Sequence, residues 1–198
     1  MTKLILASAS AARIALLRGA GLDFESRAAE IDEGHIRDRA RANGLKADSL
    51  AIELAAAKAD AVSTKFPGNL VIGGDQILVC NDTLFTKPRD LVEAADQLRS
   101  LRGRSHSLFS AATLVRDGTV LWSCVQSVRM TMRDFSEAFL DDYLQRTGPA
   151  ILDSVGAYHL EGLGAQLFSG VEGDYFTVLG LPLLAVLDAL RDQGVLLD

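Results

Sequence analysis

Leu70-Val71-Ile72-Gly73-Gly74-Asp75-Gln76 is the stretch on which the fold turns. Three large apolar residues, two of them β-branched, run into a pair of glycines and a carboxylate. A run this short, bounded by glycine, predicts a strand buried on both faces and ending at Gly73. In open α/β sheets ligands gather beyond the carboxyl ends of the strands. An aspartate at that point can hold a metal ion or take a proton from a water, and the glycines let a substrate approach the backbone closely. The alternative is a tight turn in which Asp75 caps a neighbour. The functional reading is preferred, because a lone carboxylate closing a buried strand has few structural uses.

Upstream, residues 3–7 predict a second buried strand that stops at Ser8-Ala9-Ser10. A helix follows from about Ala11 to Arg18 and ends at Gly19 or Gly21. A short extended segment at Phe24-Ser26 leads to the acidic stretch Glu30-Ile31-Asp32-Glu33. Residues 48–64 are alanine-rich and helical, with Leu50, Leu54, Ala57 and Ala61 on one face. Downstream, a loop bearing Lys87-Pro88 precedes a helix over 90–101 closed by Gly103. Ser107 to Val115 and Thr119 to Met132 read as a hairpin turned by Asp117-Gly118. A helix over 136–146 stops before Gly148-Pro149, a glycine-rich loop region covers 156–180, and a last helix runs from Leu183 to Arg191 after Pro182. Strands and helices alternate but a hairpin intrudes, so the expected fold is α/β with a mixed sheet. No repeat, low-complexity tract or linker interrupts the chain.

Composition narrows the function classes. The 198 residues are 48% hydrophobic and 23% charged, with a mean hydropathy of +0.18. The apolar residues are dispersed, and no run approaches the ~20 that a membrane span requires. The short apolar start is no export signal, so a cytoplasmic protein without membrane attachment is expected. Cys80 and Cys124 lie far apart and the histidines are scattered, which fits a reducing compartment and argues against a structural zinc site. A net charge of -6 argues against polymeric nucleic acid as a partner. It does not exclude a small polyphosphate met by a few local cations and a metal.

Five clusters can carry chemistry. Ser8, Ser10 and Arg13 stand at a strand end and a helix start, where free N–H groups, hydroxyls and a guanidinium suit a phosphate; plain capping by Ser10 with Arg13 on a solvated face is the alternative. Glu30 and Glu33 can hold a hard divalent ion or form a solvated acidic loop. Asp75 is the third. Lys58 and Lys87 can each meet a phosphate or remain surface lysines, Lys87 being favoured because Pro88 fixes its backbone. Gly156-Ala157-Tyr158-His159-Leu160-Glu161-Gly162-Leu163-Gly164, with Gly173-Asp174-Tyr175 beyond, suggests a loop shaped around a ligand. No Gly-Lys-Ser/Thr phosphate loop and no Gly-x-Ser-x-Gly elbow is present. His35, His106 and His159 read as surface or supporting residues.

Taken in order, Leu6-Ala7-Ser8-x-Ser10-x-x-Arg13, Glu30-x-x-Glu33, Ala55-x-x-Lys58-Ala59, Ile72-Gly73-Gly74-Asp75-Gln76, Thr86-Lys87-Pro88 and Gly173-Asp174-Tyr175 with Gly180-Leu181-Pro182-Leu183 resemble the Maf family over essentially the whole chain. That family comprises nucleoside triphosphate pyrophosphatases, once described as septum formation inhibitors. The resemblance implies one Maf-like domain over residues 1–198. It also implies a long, twisted mixed sheet flanked by helices, as in inosine triphosphate pyrophosphatases, with two lobes around a cleft and a homodimeric assembly. Carried onto this sequence, it makes Asp75 the proton acceptor. Ser8, Ser10, Arg13, Lys58 and Lys87 become triphosphate contacts, and Glu33 with Asp75 the ligands of Mg²⁺ or Mn²⁺.

Departures from the family pattern bear on the base. Ala11 and Ala12 stand where proline and arginine are usual, Gln76 follows the central aspartate, Ser154 replaces a lysine and Glu161 a glutamine. Gln76 and Glu161 resemble the 7-methyl-GTP subgroup. A carboxylate accepts hydrogen bonds from a guanine edge and suits a base made cationic by N7 methylation. Ala12 matches neither subgroup, since the 7-methyl-GTP type carries a tryptophan there. The implied substrate is therefore a modified or non-canonical nucleoside triphosphate, with a lean to 7-methyl-GTP. A nucleotide-responsive regulator of division without important turnover is the rival reading, and nucleotidyl transfer a second.

Overall fold

The computed structural model describes residues 3–197. Its seven strands form one open sheet in the order β2-β1-β3-β5-β6-β7, with β4 beside β3. They are β1 (Leu4–Leu6), β2 (Glu25–Ser26), β3 (Leu70–Cys80), β4 (Thr83–Phe85), β5 (Ser105–Arg116), β6 (Thr119–Met132) and β7 (Phe168–Glu172). Helices α1 (Ala11–Gly19), α2 (Glu33–Ala42), α3 (Ala47–Ser63), α4 (Leu91–Leu101), α5 (Glu137–Thr147), α6 (Tyr175–Val178) and α7 (Leu183–Asp192) complete the chain. β1 runs parallel to both β2 and β3, whereas β4 is antiparallel to β3 and β7 to β6. The sheet is mixed, as the alternating pattern with its hairpin requires. Among the described residues no helix is long and apolar enough to cross a membrane.

The chain divides into two compact units. The first takes in the described residues up to Gln76, then Phe109–Gln126 and the chain from Gly180 onward; the second is Ile77–Leu108 with Ser127–Leu179. In the first unit β1 and β3 lie in the register Leu4↔Leu70, Ile5↔Val71, Leu6↔Ile72, and all six side chains are buried. Burial on both faces is what a continuous apolar run provides. Ile5 and Val71 pack with Val115, Ala59 and Val62. The β5–β6 connection is Asp117-Gly118, both at positive φ (50° and 73°), the conformation a two-residue hairpin turn demands. Asp117 Oδ1 accepts from the Gly68 amide at 2.6 Å, and Ser63 Oγ from the Gly118 amide at 3.2 Å, so the turn is anchored to the last residue of α3 and to the loop that follows it.

Five sequence expectations are corrected. β3 does not stop at Gly73 but runs on to Cys80, eleven residues in all, so Asp75 sits inside a strand and not beyond its end. The glycines serve the protein's own packing: a Cβ at Gly73 would lie 2.0 Å from the Ala55 carbonyl oxygen, and one at Gly74 3.2 Å from Arg13 Cδ and Nε. The buried stripe of α3 is Leu50, Ala51, Leu54, Ala55, Ala59 and Val62; Ala57 and Ala61 lie at its half-buried margin. Glu33 belongs to a helix, not to an acidic loop, with Asp32 accepting from the His35 amide at 2.9 Å as its cap. Finally, the glycine-rich region 156–180 contains β7 and the short α6.

The second unit has its own core. Leu78, Leu108, Val128 and Met130 from the strands meet Ala94, Leu98 and Leu101 of α4 and Leu140 and Tyr143 of α5. His106 is buried in it at 2% exposure, its Nε2 2.7 Å from the Tyr158 hydroxyl. Tyr158 packs edge-on to Phe168 with ring centroids 4.8 Å apart. Burial pushes the His106 imidazole down to about 4, so it is neutral at physiological pH.

Candidate functional site

The first unit assembles a charged cluster from three elements. Lys58, one helical turn past Leu54 on α3, reaches Asp75 Oδ1 at 2.5 Å and Glu33 Oε1 at 2.8 Å. Its side chain is 13% exposed, that of Asp75 6%. A short-stemmed carboxylate on a strand and a long-stemmed ammonium on the covering helix can meet here because Gly73 lets the α3 backbone come close. Arg37, one turn into α2, holds Glu33 Oε2 at 2.5 Å as an i,i+4 pair. Burial works to raise the Glu33 carboxyl, but the hydrogen bond and charge of Lys58, with Arg37, outweigh it and hold it below the usual range. Asp75 Oδ2 is buried without a hydrogen-bond partner. Leaving a carboxylate oxygen in that state costs on the order of 1–3 kcal/mol, so this atom is a candidate for contact with a ligand.

The second assembly is at the start of α1. Ser10 is its N-cap, its hydroxyl accepting from the Arg13 amide at 3.5 Å. Ser8 Oγ accepts from the Ser10 amide at 3.2 Å and from Arg13 Nη1 at 3.3 Å. Arg13 is not on a solvated face: it is buried, and its Nε donates to the Gly180 carbonyl at 2.7 Å. Gly180 has φ +97°, and a Cβ there would lie 3.5 Å from Arg13 Nε. Desolvation lowers the Arg13 pKa while the charges of Asp75 and then Glu33 oppose it. The first turn of α1 contains no acidic residue, so its partial positive charge is left uncompensated within the helix.

Of the residues singled out in the sequence, Glu33, Lys58 and Asp75 form one ion-paired cluster, and Ser8, Ser10 and Arg13 form a hydrogen-bonded one. Gln76 follows Asp75 on a strand and therefore points to the opposite face, where its amide donates to Ser110 Oγ at 3.0 Å. Ala12 is half-buried on α1. Glu30 is exposed and pairs with Lys65 at 2.8 Å, which removes it from the candidate ligands. Lys87 and Glu161 both lie exposed on the second unit, Lys87 in the loop after β4 and Glu161 in the turn before residues 163–167. Ser154 donates to the Tyr158 carbonyl at 2.7 Å, and His159 Nε2 lies in hydrogen-bond contact with Asp153 Oδ1 at 2.8 Å. Asp174 caps α6.

Sequence reasoning missed Arg37 and the Gly180 carbonyl. The first was signalled by the i,i+4 spacing Glu33-x-x-x-Arg37; no local signal marks the second. Among the described residues no group of three or more His, Cys, Asp or Glu is placed to hold a metal on its own.

A mixed α/β sheet thus carries, in one unit, a carboxylate–lysine–carboxylate cluster and a serine-capped helix N-terminus, groups whose chemistry can meet a charged phosphorylated ligand. The chain belongs to the Maf family: residues 3–193 match the family described as Maf-like protein. It is similar to the 7-methyl-GTP pyrophosphatase of Rhizobium etli, 50% identical over 98% of both chains. The 7-methyl-GTP pyrophosphatase of Rhizobium meliloti is 51% identical over 98% of this chain and 97% of its own. Nucleoside triphosphate pyrophosphatase 1 of Jannaschia sp. is 48% identical over 98% of both.

Proposed function

We propose that this protein is a nucleoside triphosphate pyrophosphatase that hydrolyses its substrate to the nucleoside monophosphate and pyrophosphate. The observation that carries this reading is the Lys58-bridged pair Glu33 and Asp75, with Asp75 Oδ2 buried and unpartnered. Family membership and near full-length relatives named as pyrophosphatases support it.

Lys58 orients the Asp75 carboxylate through Oδ1, which leaves Oδ2 as the atom to receive a proton. A water held there gives up that proton as its oxygen attacks the α-phosphorus. The bond from the α-phosphorus to the bridging oxygen breaks, and pyrophosphate leaves with the electron pair. Ser8, Ser10 and Arg13 contact the triphosphate, and Lys58 and Lys87 neutralise its charge. For Lys87 and Glu161, which belong to the second unit, the role rests on the sequence resemblance alone.

The oxygen donors suit Mg²⁺ or Mn²⁺, hard ions that take one or two protein carboxylates and complete their shell with waters and substrate phosphates. Glu33, shared with Lys58 and Arg37, and Asp75 through Oδ1, shared with Lys58, would hold such an ion, Asp75 Oδ2 being kept for the proton. When bound, such an ion supplies charge neutralisation on the phosphates. The base is proposed to be a modified guanine, 7-methyl-GTP being favoured by Glu161 and by the names of two relatives. Gln76 and Ala12 are proposed to tune that choice. The protein is proposed to act in the cytoplasm as a pair of identical copies.

The test is pyrophosphate release from dTTP, UTP, CTP, GTP and 7-methyl-GTP with Mg²⁺ or Mn²⁺, in wild type and Asp75→Asn. Turnover that falls ~100-fold or more in the variant supports the enzyme. Nucleotide binding without turnover by the wild type would refute it.

A further inference from the structure

β7 pairs with β6 only from Arg129 to Met132. Among the described residues, no strand pairs with residues 119–125 on the side away from β5. Free strand edges are ordinarily blunted by lysine, proline or a bulge, since they offer a row of backbone donors and acceptors to any other chain. The segment Thr119-Val120-Leu121-Trp122-Ser123-Cys124-Val125 has none of these and carries no charge, in a chain of net charge -6. Its side chains are only partly covered: Val120 is 53% exposed and Leu121 39%, with Trp122, Cys124 and Val125 half-buried.

We propose that residues 119–125 are the seam between two copies of this chain, joined as antiparallel strands about a two-fold axis at Trp122. The inference rests on the two-copy reading above and specifies where the contact is made. A two-fold interface must be self-complementary, because each residue meets its image. Centring the pairing on Trp122 places Val120 opposite Cys124 of the second copy and Trp122 opposite its own image. Strand alternation puts those residues on one face, so they form a continuous apolar patch. Thr119 then meets Val125, and Leu121 meets Ser123. No like charges are brought together anywhere in the seam, which carries none of the charged residues behind the net charge of -6.

The register makes a sharp test possible. Directly opposed residues in an antiparallel pair have Cα atoms roughly 4.5–5.5 Å apart, within disulfide reach. Val120→Cys therefore sets a new thiol against the native Cys124 of the second copy. Within one chain the two positions are four strand residues apart, about 13 Å, and cannot bridge. Burial raises the Cys124 thiol, so oxidation is run at alkaline pH with copper phenanthroline, which accepts the two electrons as the thiols lose their protons. Leu121→Cys, facing Ser123, is the control, and circular dichroism checks that both variants fold. Val120→Lys is examined by light scattering, with Trp122, the single tryptophan, as a fluorescent reporter.

Covalent dimer from Val120→Cys and at least tenfold less from Leu121→Cys is the expected result. Val120→Lys is expected to shift the protein to monomer and the Trp122 emission to longer wavelength. Dimeric wild type without a Val120→Cys cross-link would overturn this seam while leaving the pair intact. Wild type that is monomeric at all concentrations would overturn the pair as well.

Discussion

Lys58 Nζ donates to Asp75 Oδ1 at 2.5 Å, from a helix to the middle of a strand, with both side chains almost out of solvent. The lysine occupies the position a cation must occupy if the two carboxylates are to coexist. Lys58→Met leaves Asp75 in the interior without its hydrogen-bonded counter-charge, with only the charge of Arg13 acting on it. The expected loss is about 3 kcal/mol, measured by urea denaturation at neutral pH. Divalent cation then becomes the alternative counter-charge, so Mn²⁺ should raise the melting temperature of Lys58→Met more than that of wild type. Equal shifts in the two proteins would sink the assignment of Glu33 and Asp75 as metal ligands.

The two glycines of β3 face different neighbours and should respond differently. An alanine at Gly73 drives its Cβ to 2.0 Å from the Ala55 carbonyl, a backbone atom that cannot swing aside. Gly73→Ala is expected to cost ~3 kcal/mol or to prevent folding. An alanine at Gly74 comes to 3.2 Å from Arg13 Cδ and Nε, a side chain that can shift by a few tenths of an ångström. Gly74→Ala is expected to cost ~1 kcal/mol but to lower turnover at least tenfold, because Arg13 is pushed from Ser8 and Gly180. Melting temperatures and kcat for the pair decide it: similar stabilities would contradict this division of labour.

The β1 and β3 cores and the Ser10 cap of α1 were legible because each is written locally, as an apolar run or as a serine before a helix. The extent of β3 was not. Glycines at 73 and 74 look like a strand end in one dimension, and only the position of Ala55 and Arg13 shows that they are close-approach sites inside the strand. α2 was missed for a different reason. Glu-Gly-His-Ile-Arg-Asp-Arg-Ala-Arg-Ala has almost no apolar periodicity and is held by the Asp32 cap, the Glu33–Arg37 pair and the Arg39–Glu53 contact to α3. Asp75 and Lys58 could be picked out as residues, but their bond needs the fold. That Gly180 receives Arg13 across 167 positions of sequence has no local signal at all.

Arg13 uses two donors of one planar group, Nε to the Gly180 carbonyl in the segment before α7 and Nη1 to Ser8 Oγ, a pairing that lysine cannot imitate. Arg13→Lys should destabilise the protein by about 2 kcal/mol, leaving the Gly180 carbonyl without its partner. Ser8→Ala should cost measurably less in the Arg13→Lys background than in wild type, since the bond it removes is already gone. Strictly additive losses in that double-mutant cycle, followed by thermal denaturation, would show that Ser8 and Arg13 do not act together.

His106 gives a pH signature separable from the site, since it lies in the core of the second unit. Its folded value of about 4 is below the ordinary 6.5, because burial disfavours the imidazolium. Below pH 6.5 the unfolded chain therefore binds a proton that the folded chain refuses. Stability from this group is complete above the unfolded value and is lost as pH falls from about 6.5 toward the folded value. Near pH 5 the loss should be about 2 kcal/mol relative to neutral pH. His106→Gln can still hydrogen-bond the Tyr158 hydroxyl but does not titrate, so it should be less stable at neutral pH yet show a flatter profile. Urea unfolding of both proteins from neutral pH to near pH 5 measures this directly. Parallel profiles would mean that the acid sensitivity of the second unit arises elsewhere.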